Sequence, residues 1–278
     1  MYAMKRILCS LLLAASCLAA APAHAFGYEP KVGIQSWTLR NMDFDQVVEF
    51  AKKHKIRNLE LIAKHIDPMG PLDEAKRRKA ILDKNGLTCY SFGVAGTSMD
   101  KEQNRKLFEF AKLMKIKVII VEPKNMAEWD NLEALVKEYN IKLAVHNHGI
   151  TTPYGNPATV QKILDSRDKR IGVCLDIGHV TGAGFDAAKV FHDYNGRVYD
   201  IHLKDKHVVK KDGKEQILDV EIGTGDANYD GVFAELKKAG WKGVMAIETD
   251  NNDFAKSPDD YVSKAIDFVK EKSHGKKK

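Results

Sequence analysis

From residue 31 to residue 249 the chain repeats one alternation eight times. A short apolar, often β-branched run is followed by a stretch of helical period. The runs are KVGIQSW (31–37), RNLELI (57–62), LTCYSFGV (87–94), VIIVEP (118–123), KLAVHNH (142–148), IGVCLDIGH (171–179), RVYDIHLKD (197–205) and KGVMAIET (242–249). Each has the length and composition of a buried strand. Between and after them, apolar residues recur on one helical face. Phe44, Val47, Val48 and Ala51 form one such stripe. Trp129, Leu132, Leu135, Val136 and Tyr139 form another, and Val262, Ala265, Ile266 and Val269 a third. Ser257 followed by Pro258 reads as a helix start, and Gly86 as a stop. Strands that alternate with helices need parallel pairing with the helices outside. Eight such units predict an α/β chain of one domain, a closed (β/α)8 TIM barrel, with an open doubly wound sheet as the alternative. No linker-like stretch divides it. Residues 206–228 form a longer connection than the others, and long loops at this end of a barrel tend to carry function.

The N-terminus is of another kind. Lys5 and Arg6 precede an apolar run from Ile7 to about Ala21, and small residues surround Ala25. This layout predicts a cleaved signal peptide over residues 1–25 and a periplasmic or secreted protein. The run is shorter than the roughly 20 residues a membrane span needs. Cys17 in LAASC offers a lipoprotein reading, which the continuing apolar run disfavours. Removal of the segment leaves 253 residues, residues 26–278, and lowers the formal charge from +6 to +4. So mild an excess gives no ground for a nucleic-acid partner. Cys89 and Cys174 remain, each in an apolar run, and are expected to be core thiols rather than a disulfide.

A barrel sets its active site at the carboxyl ends of its strands. Those ends carry ionisable residues here: Glu60 on the second, Glu122 on the fourth, His146 and His148 on the fifth. The sixth carries Asp176 and His179, the seventh His202, Lys204 and Asp205, and the eighth Glu248. Buried charges are costly unless paired or bound to metal, so a ring of them at one end points to a site. Trp37 at the end of the first strand is a candidate sugar-stacking residue. GTGDAN (223–228) lacks the rest of a nucleotide-binding loop. His54, His65, His192 and His207 fall outside the strands and are expected at the surface.

VCLDIGH, DIHLKD and EIGTGDANYDGVFAELKKAGWKGVMAIET, in this order, resemble the xylose isomerase-like barrel superfamily, and within it the sugar phosphate isomerase/epimerase group. Its members include ketose 3-epimerases, inosose dehydratase and enzymes that eliminate or hydrate 3-keto-glycosides. The resemblance implies one divalent ion (Mn, Co, Zn or Mg) held by Glu, Asp, His and Glu from the last four strands. Asp176, His202 and Glu248 stand at three of these positions. His146 stands at or near the fourth, where the epimerases have glutamate. If it replaces that ligand, His146→Glu should tighten the metal.

The substitution changes the charge. Two Glu, one Asp and one His leave a site of net −1 with M²⁺, whereas His146, Asp176, His202 and Glu248 leave it neutral. A neutral site is a stronger Lewis acid, but it lacks one of the two glutamates that shuttle protons in an epimerase. Glu122, His148 and Lys204 are the substitute candidates, with Glu248 retained as a second catalytic carboxylate. A nearby cation would push Lys204 toward its neutral form. Glu60, His179 and Trp37 are expected to touch substrate. The expected activity is a metal-dependent sugar isomerase or epimerase that abstracts a proton next to a carbonyl. A lyase or hydratase on 3-keto-glycosides is the alternative, and a non-catalytic sugar-binding barrel a further one. A nuclease related to endonuclease IV would need more ligands and a basic groove. The implied partner is a small carbohydrate. A homo-oligomer remains open.

Overall fold

All eight apolar runs form parallel strands. The computed structural model describes residues 28–211 and 213–274, so the expected signal segment lies outside the described residues. In chain order the strands are β1 (Lys31–Gln35), β2 (Asn58–Leu61), β3 (Thr88–Ala95), β4 (Val118–Val121), β5 (Lys142–His146), β6 (Ile171–Asp176) and β7 (Val198–Leu203). A hairpin follows, β8 (Asp205–Lys211) and β9 (Lys214–Val220), and then β10 (Val244–Ile247). Strands β1 to β7 and β10 close into one barrel in which β10 pairs with both β1 and β7. This is a single-domain TIM barrel.

The outer helices follow the apolar stripes. Helix α1 (Phe44–Lys53) buries Phe44, Val47, Val48 and Ala51, and Asp43 with Gln46 forms a reciprocal capping box at its start. Helices α2 (Leu72–Lys84) and α3 (Lys101–Met114) come next. Helix α4 (Glu128–Tyr139) buries Trp129, Leu132, Leu135 and Val136 against the barrel. Each such side chain contributes roughly 1.5–3 kcal/mol on burial. Helices α5 (Pro157–Ser166), α6 (Ile177–Gly182), α7 (Ala187–Asp193), α8 (Tyr229–Ala239), α9 (Asn252–Lys256) and α10 (Pro258–His274) complete the shell. Gly86 ends the α2 turn at φ 67°, a conformation glycine adopts without steric cost. Cys89 and Cys174 are buried free thiols.

Three features depart from the sequence reading. The long connection is a structured antiparallel hairpin in register from Asp205↔Val220 to Lys211↔Lys214. The sixth strand stops at Asp176, and His179 lies in the first turn of α6. His65, expected at the surface, is fully buried; its ring faces the Met42 carbonyl at 3.2 Å inside the loop after β2. Of the other three histidines, His192 and His207 are exposed, while the His54 ring is mostly covered beside Asp259.

The GTGDAN stretch has a structural use. The carboxylate of buried Asp205 accepts backbone N–H bonds from Lys206, Gly223, Gly225 and Ala227, at 2.9, 2.9, 2.9 and 3.2 Å. A Cβ on Gly225 would meet Asp205 Oδ1 at 2.4 Å, so the loop can wrap this carboxylate only with glycine there. Asp205 therefore fixes the return from the hairpin to α8.

Candidate functional site

Side chains on a strand alternate between the two faces. Counting by two along each strand gives the inner set. These residues are Ile120 and Glu122; Ala144, His146 and His148; Cys174 and Asp176; Asp200, His202 and Lys204; Ala246, Glu248 and Asp250. The lower members close the barrel interior, where Val118, Ile120, Ala144 and Cys174 pack together. The upper members converge at the carboxyl mouth.

Asp176 is the pivot of this group. Its Oδ1 accepts the His179 N–H at 2.7 Å, which caps α6. Its Oδ2 is fully buried and makes no hydrogen bond of proper geometry, and the same holds for Glu248 Oε2. Around the Asp176 oxygen stand His146 Nε2 at 3.4 Å, His202 Nδ1 at 3.5 Å and Lys204 Nζ at 3.3 Å. His146 Nε2 and His202 Nδ1 face one another at 3.1 Å. His202 Nδ1 is 3.8 Å from Glu248 Oε2. Ligand atoms of His146, Asp176 and His202 all fall within 4.8 Å of each other. Two ring nitrogens and the Asp176 oxygen, drawn together at one point, are donors of the kind a divalent cation takes. These three residues thus fit an ion, with Glu248 at their edge, where its Oε2 and Asp176 Oδ2 also face Lys204.

Each imidazole is held from behind by a carboxylate, as metal-binding histidines commonly are. Glu122 Oε1 accepts from His146 Nδ1 at 2.6 Å, and its other oxygen lies 3.4 Å from His148 Nδ1. Glu60 accepts from His202 Nε2 at 3.1 and 3.2 Å. The remaining nitrogen of each ring, His146 Nε2 and His202 Nδ1, is therefore turned on the cation position. Burial alone would lower both histidines; Asp176 and Glu122 at His146, and Cys174, Glu60 and Asp176 at His202, reverse it and raise them. The field at this point favours positive charge. Burial works to raise Glu122, but hydrogen bonds from His146 and His148 prevail and keep it ionised.

Glu60 was expected to meet substrate. It is fully buried beneath His202, beside Asp200, and does not line the cavity. Burial and the Glu60 charge push the Asp200 carboxyl well up, so it stays protonated, and the Tyr90 hydroxyl donates to it at 2.9 Å. Tyr90, Asp200 and Glu60 form a polar column under His202.

Lys204 is 1% exposed and lies against Glu248 Oε2, with Asp250 Oδ2 at 2.9 Å and His179 Nε2 at 3.3 Å. Burial disfavours the ammonium, yet Asp176, Glu248 and Asp250 outweigh it and hold Lys204 well above the usual lysine range. A divalent ion beside Asp176 would act in the opposite direction and push Lys204 toward its neutral form, as expected from the sequence. Burial, seconded by the Lys204 charge, holds His179 neutral, down at about 2, so its Nε2 accepts from Lys204. Burial, with Asp250 and Asp176 nearby, pushes the Glu248 carboxyl up to about 7 even though Lys204 opposes it.

The mouth opens into a cavity of about 510 Å³, within the range of small-molecule sites. Trp37, Ile62, Ala63 and Val94 line one part; Glu122, His146, His148, His179, His202, Lys204, Glu248 and Asp250 line the other. Eight of the ten expected site residues therefore line this cavity; Asp176 is buried against His146 and His202, and Glu60 lies below. Asp250 was missed. It sits two residues beyond Glu248, on the same inner face, and that spacing was the available signal. Among the described residues no helix is long and apolar enough to cross a membrane.

Comparison with known proteins agrees with this architecture. Residues 47–272 match the model of the xylose isomerase-like TIM barrel family, and the chain belongs to that family. It is 32% identical over 164 residues to an inosose dehydratase of Clostridium perfringens, a match covering 54% of this chain and 55% of that one. The chain thus spans about half the length of the curated relatives it matches. An uncharacterised protein of Parabacteroides distasonis superposes with a TM-score of 0.67 at 27% identity, covering 87% of this chain and 98% of that one. The IOLI protein, solved with a zinc atom, shares the fold at a TM-score of 0.66 and 16% identity, over 88% of this chain and all of that one.

Proposed function

We propose that the protein is a divalent-metal-dependent carbon–oxygen lyase that acts on a keto-sugar or keto-glycoside. The observation that carries this reading is the place of Lys204, buried at the cavity wall against Glu248 Oε2, with Asp250 Oδ2 at 2.9 Å and Asp176 Oδ2 at 3.3 Å. Elimination needs one base at carbon and one acid at the leaving oxygen. Inversion of a stereocentre needs two bases across that carbon. His146 replaces one of the carboxylates such a pair would use, and Lys204 supplies an acid.

A bound divalent ion would polarise the substrate oxygen and offset negative charge developing there. The chain's own groups do the rest. His148 is partly exposed in the cavity with Nδ1 turned toward Glu122, which leaves Nε2 to take the proton next to the carbonyl. Lys204 gives its proton to the departing oxygen. Asp250 and His179 aim the ammonium, and Lys206, 3.3 Å from Asp250 Oδ2, fixes Asp250 in turn. The inosose dehydratase relatives support a leaving oxygen, within the limit of their half-length match.

Isomerisation or epimerisation is the second reading, and Glu248 favours it. A carboxyl pushed up to about 7 lies where a general base works best.

The basic and apolar N-terminal segment supports export as part of this proposal. An exported enzyme fits a free keto-sugar or glycoside better than a phosphorylated one. The test is incubation with a panel of keto-sugars and keto-glycosides in D₂O. The proposal expects an unsaturated ketone and a released alcohol or water. Deuterium in a recovered, rearranged ketose without loss of a leaving group would establish the second reading instead. No exchange and no product with any compound would leave a sugar-binding barrel.

A further inference from the structure

The cavity has two unlike walls, and only one is explained by sugar chemistry. The metal-ligand side carries the charges. The other side is Trp37, Ile62, Ala63 and Val94, with Gln35 and Lys64 beside them, from the ends of β1 and β3 and the connections after β1 and β2. Trp37 is 43% exposed and Val94 41%. An exposed tryptophan is ordinarily free to move, but Trp37 is held. The Arg40 guanidinium carbon lies 4.9 Å from its ring centroid. Arg40 itself donates to the carbonyls of Trp37, Thr249 and Asp250 and to Asn252 Oδ1, at 2.9, 3.0, 3.0 and 3.0 Å. The Trp37 backbone N–H donates to Gln35 Oε1. The backbone of Trp37 is thus pinned and its ring is backed by an anchored guanidinium before any ligand arrives, which lowers the ordering cost of binding.

The apolar character continues outward. Among the described residues, the nine large apolar side chains with substantial exposure all lie at this end of the barrel. They sit on βα connections, at the end of β3, at the start of α2, or on the β8–β9 hairpin; Trp37, Val94, Met126 and Ile150 are examples. Scattered exposed apolar residues need no explanation, but a set confined to one mouth does. The volume agrees. About 510 Å³ holds roughly 17 water-sized groups at about 30 Å³ each, more than one six-carbon sugar fills.

We propose that the substrate is a glycoside with a flat apolar aglycone of the aryl class, which lies on the Trp37–Val94 wall while its sugar faces His146, Asp176, His202 and Glu248. This rests on the keto-glycoside reading above and names the group that leaves. The continuity of the wall with the cation site argues for a substrate moiety over a docked protein, since one molecule can span both.

The test uses the full protein with saturating Mn²⁺ and two probes, 4-nitrophenyl β-D-glucopyranoside and methyl β-D-glucopyranoside, titrated by calorimetry. The aryl glucoside should bind roughly tenfold more tightly than the methyl glucoside. Trp37→Ala should remove most of that preference, and Val94→Ser should reduce it in part. Both side chains are exposed, and circular dichroism confirms that the variants fold. Equal affinity for the two probes, or a preference that survives both variants, overturns the aglycone site and leaves the sugar reading standing. Binding of neither probe by Mn²⁺-loaded protein overturns the aglycone site, and the keto-glycoside panel in D₂O decides the sugar reading separately. Sedimentation is run alongside: a dimer that Trp37→Ala and Val94→Ser dissociate would make the rim a contact between copies, and the aglycone site would fall.

Discussion

His146 Nδ1 lies 2.6 Å from Glu122 Oε1, and the opposite nitrogen of the same ring faces Asp176. Where the family resemblance implies a carboxylate at the proposed cation position, this protein has an imidazole with a carboxylate behind it. The negative charge has moved back one strand. A Glu122-bound His146 is a stronger donor than a free imidazole, and its tautomer is set.

Glu122→Gln should therefore lower affinity for the divalent ion by roughly 10–100-fold, read by metal titration calorimetry. The same contact corrects the simple expectation for His146→Glu. That carboxylate would sit against Glu122 and repel it, so the single variant should bind metal more weakly, and Glu122→Gln with His146→Glu should recover affinity. Tighter binding by the single variant would mean that Glu122 does not act through residue 146.

Lys204→Met should slow product release by roughly 10²–10⁴-fold and leave one metal ion bound per chain. The informative readout is a split. Solvent-deuterium exchange at the substrate carbon should persist, because His148 and Glu122 are intact, while elimination fails. Loss of exchange together with elimination would make Lys204 the base and reverse the assignment.

Much of this was legible in the sequence because parallel strands buried on both faces read as unbroken apolar runs. The period of two then places Glu122, His146, Asp176, His202, Lys204 and Glu248 on one inner face. Depth along the barrel axis was not legible. Glu60 pairs in register with Gln35 and ends below the mouth beside Asp200, a matter of how far each strand is staggered. The hairpin was hidden because β9 (Lys214–Val220) is exposed along most of its length and lacks a buried stripe, although Asp212-Gly213 is a hairpin signal. Asp250 stood beyond the run, where a lone charge looks like solvent-facing loop.

His65 was misplaced for a related reason: packing of a loop, not its composition, decides its burial. That burial has a pH consequence. Desolvation, aided by Lys64 and Arg78 and opposed by the Met42 carbonyl, lowers His65 from 6.5 to about 4. The unfolded chain then binds more protons between these values, so stability is complete above pH 6.5 and falls as pH drops toward 4. The loss amounts to about 3 kcal/mol at 1.36 kcal/mol per unit. Urea unfolding as a function of pH should show this slope in the wild type and a shallower one in His65→Gln. Parallel curves would mean that His65 is reached by water in solution.

The central claim is that His146, Asp176, His202 and Glu248 hold one divalent ion on which the chemistry depends. Metal analysis of the purified protein by inductively coupled plasma mass spectrometry, paired with Asp176→Ala and His202→Ala, tests it most directly. The account predicts one divalent ion per chain in the wild type, none in either variant, and wild-type activity that chelation removes and added metal restores. An unchanged metal content in both variants, or full activity in a chelated protein, would contradict it.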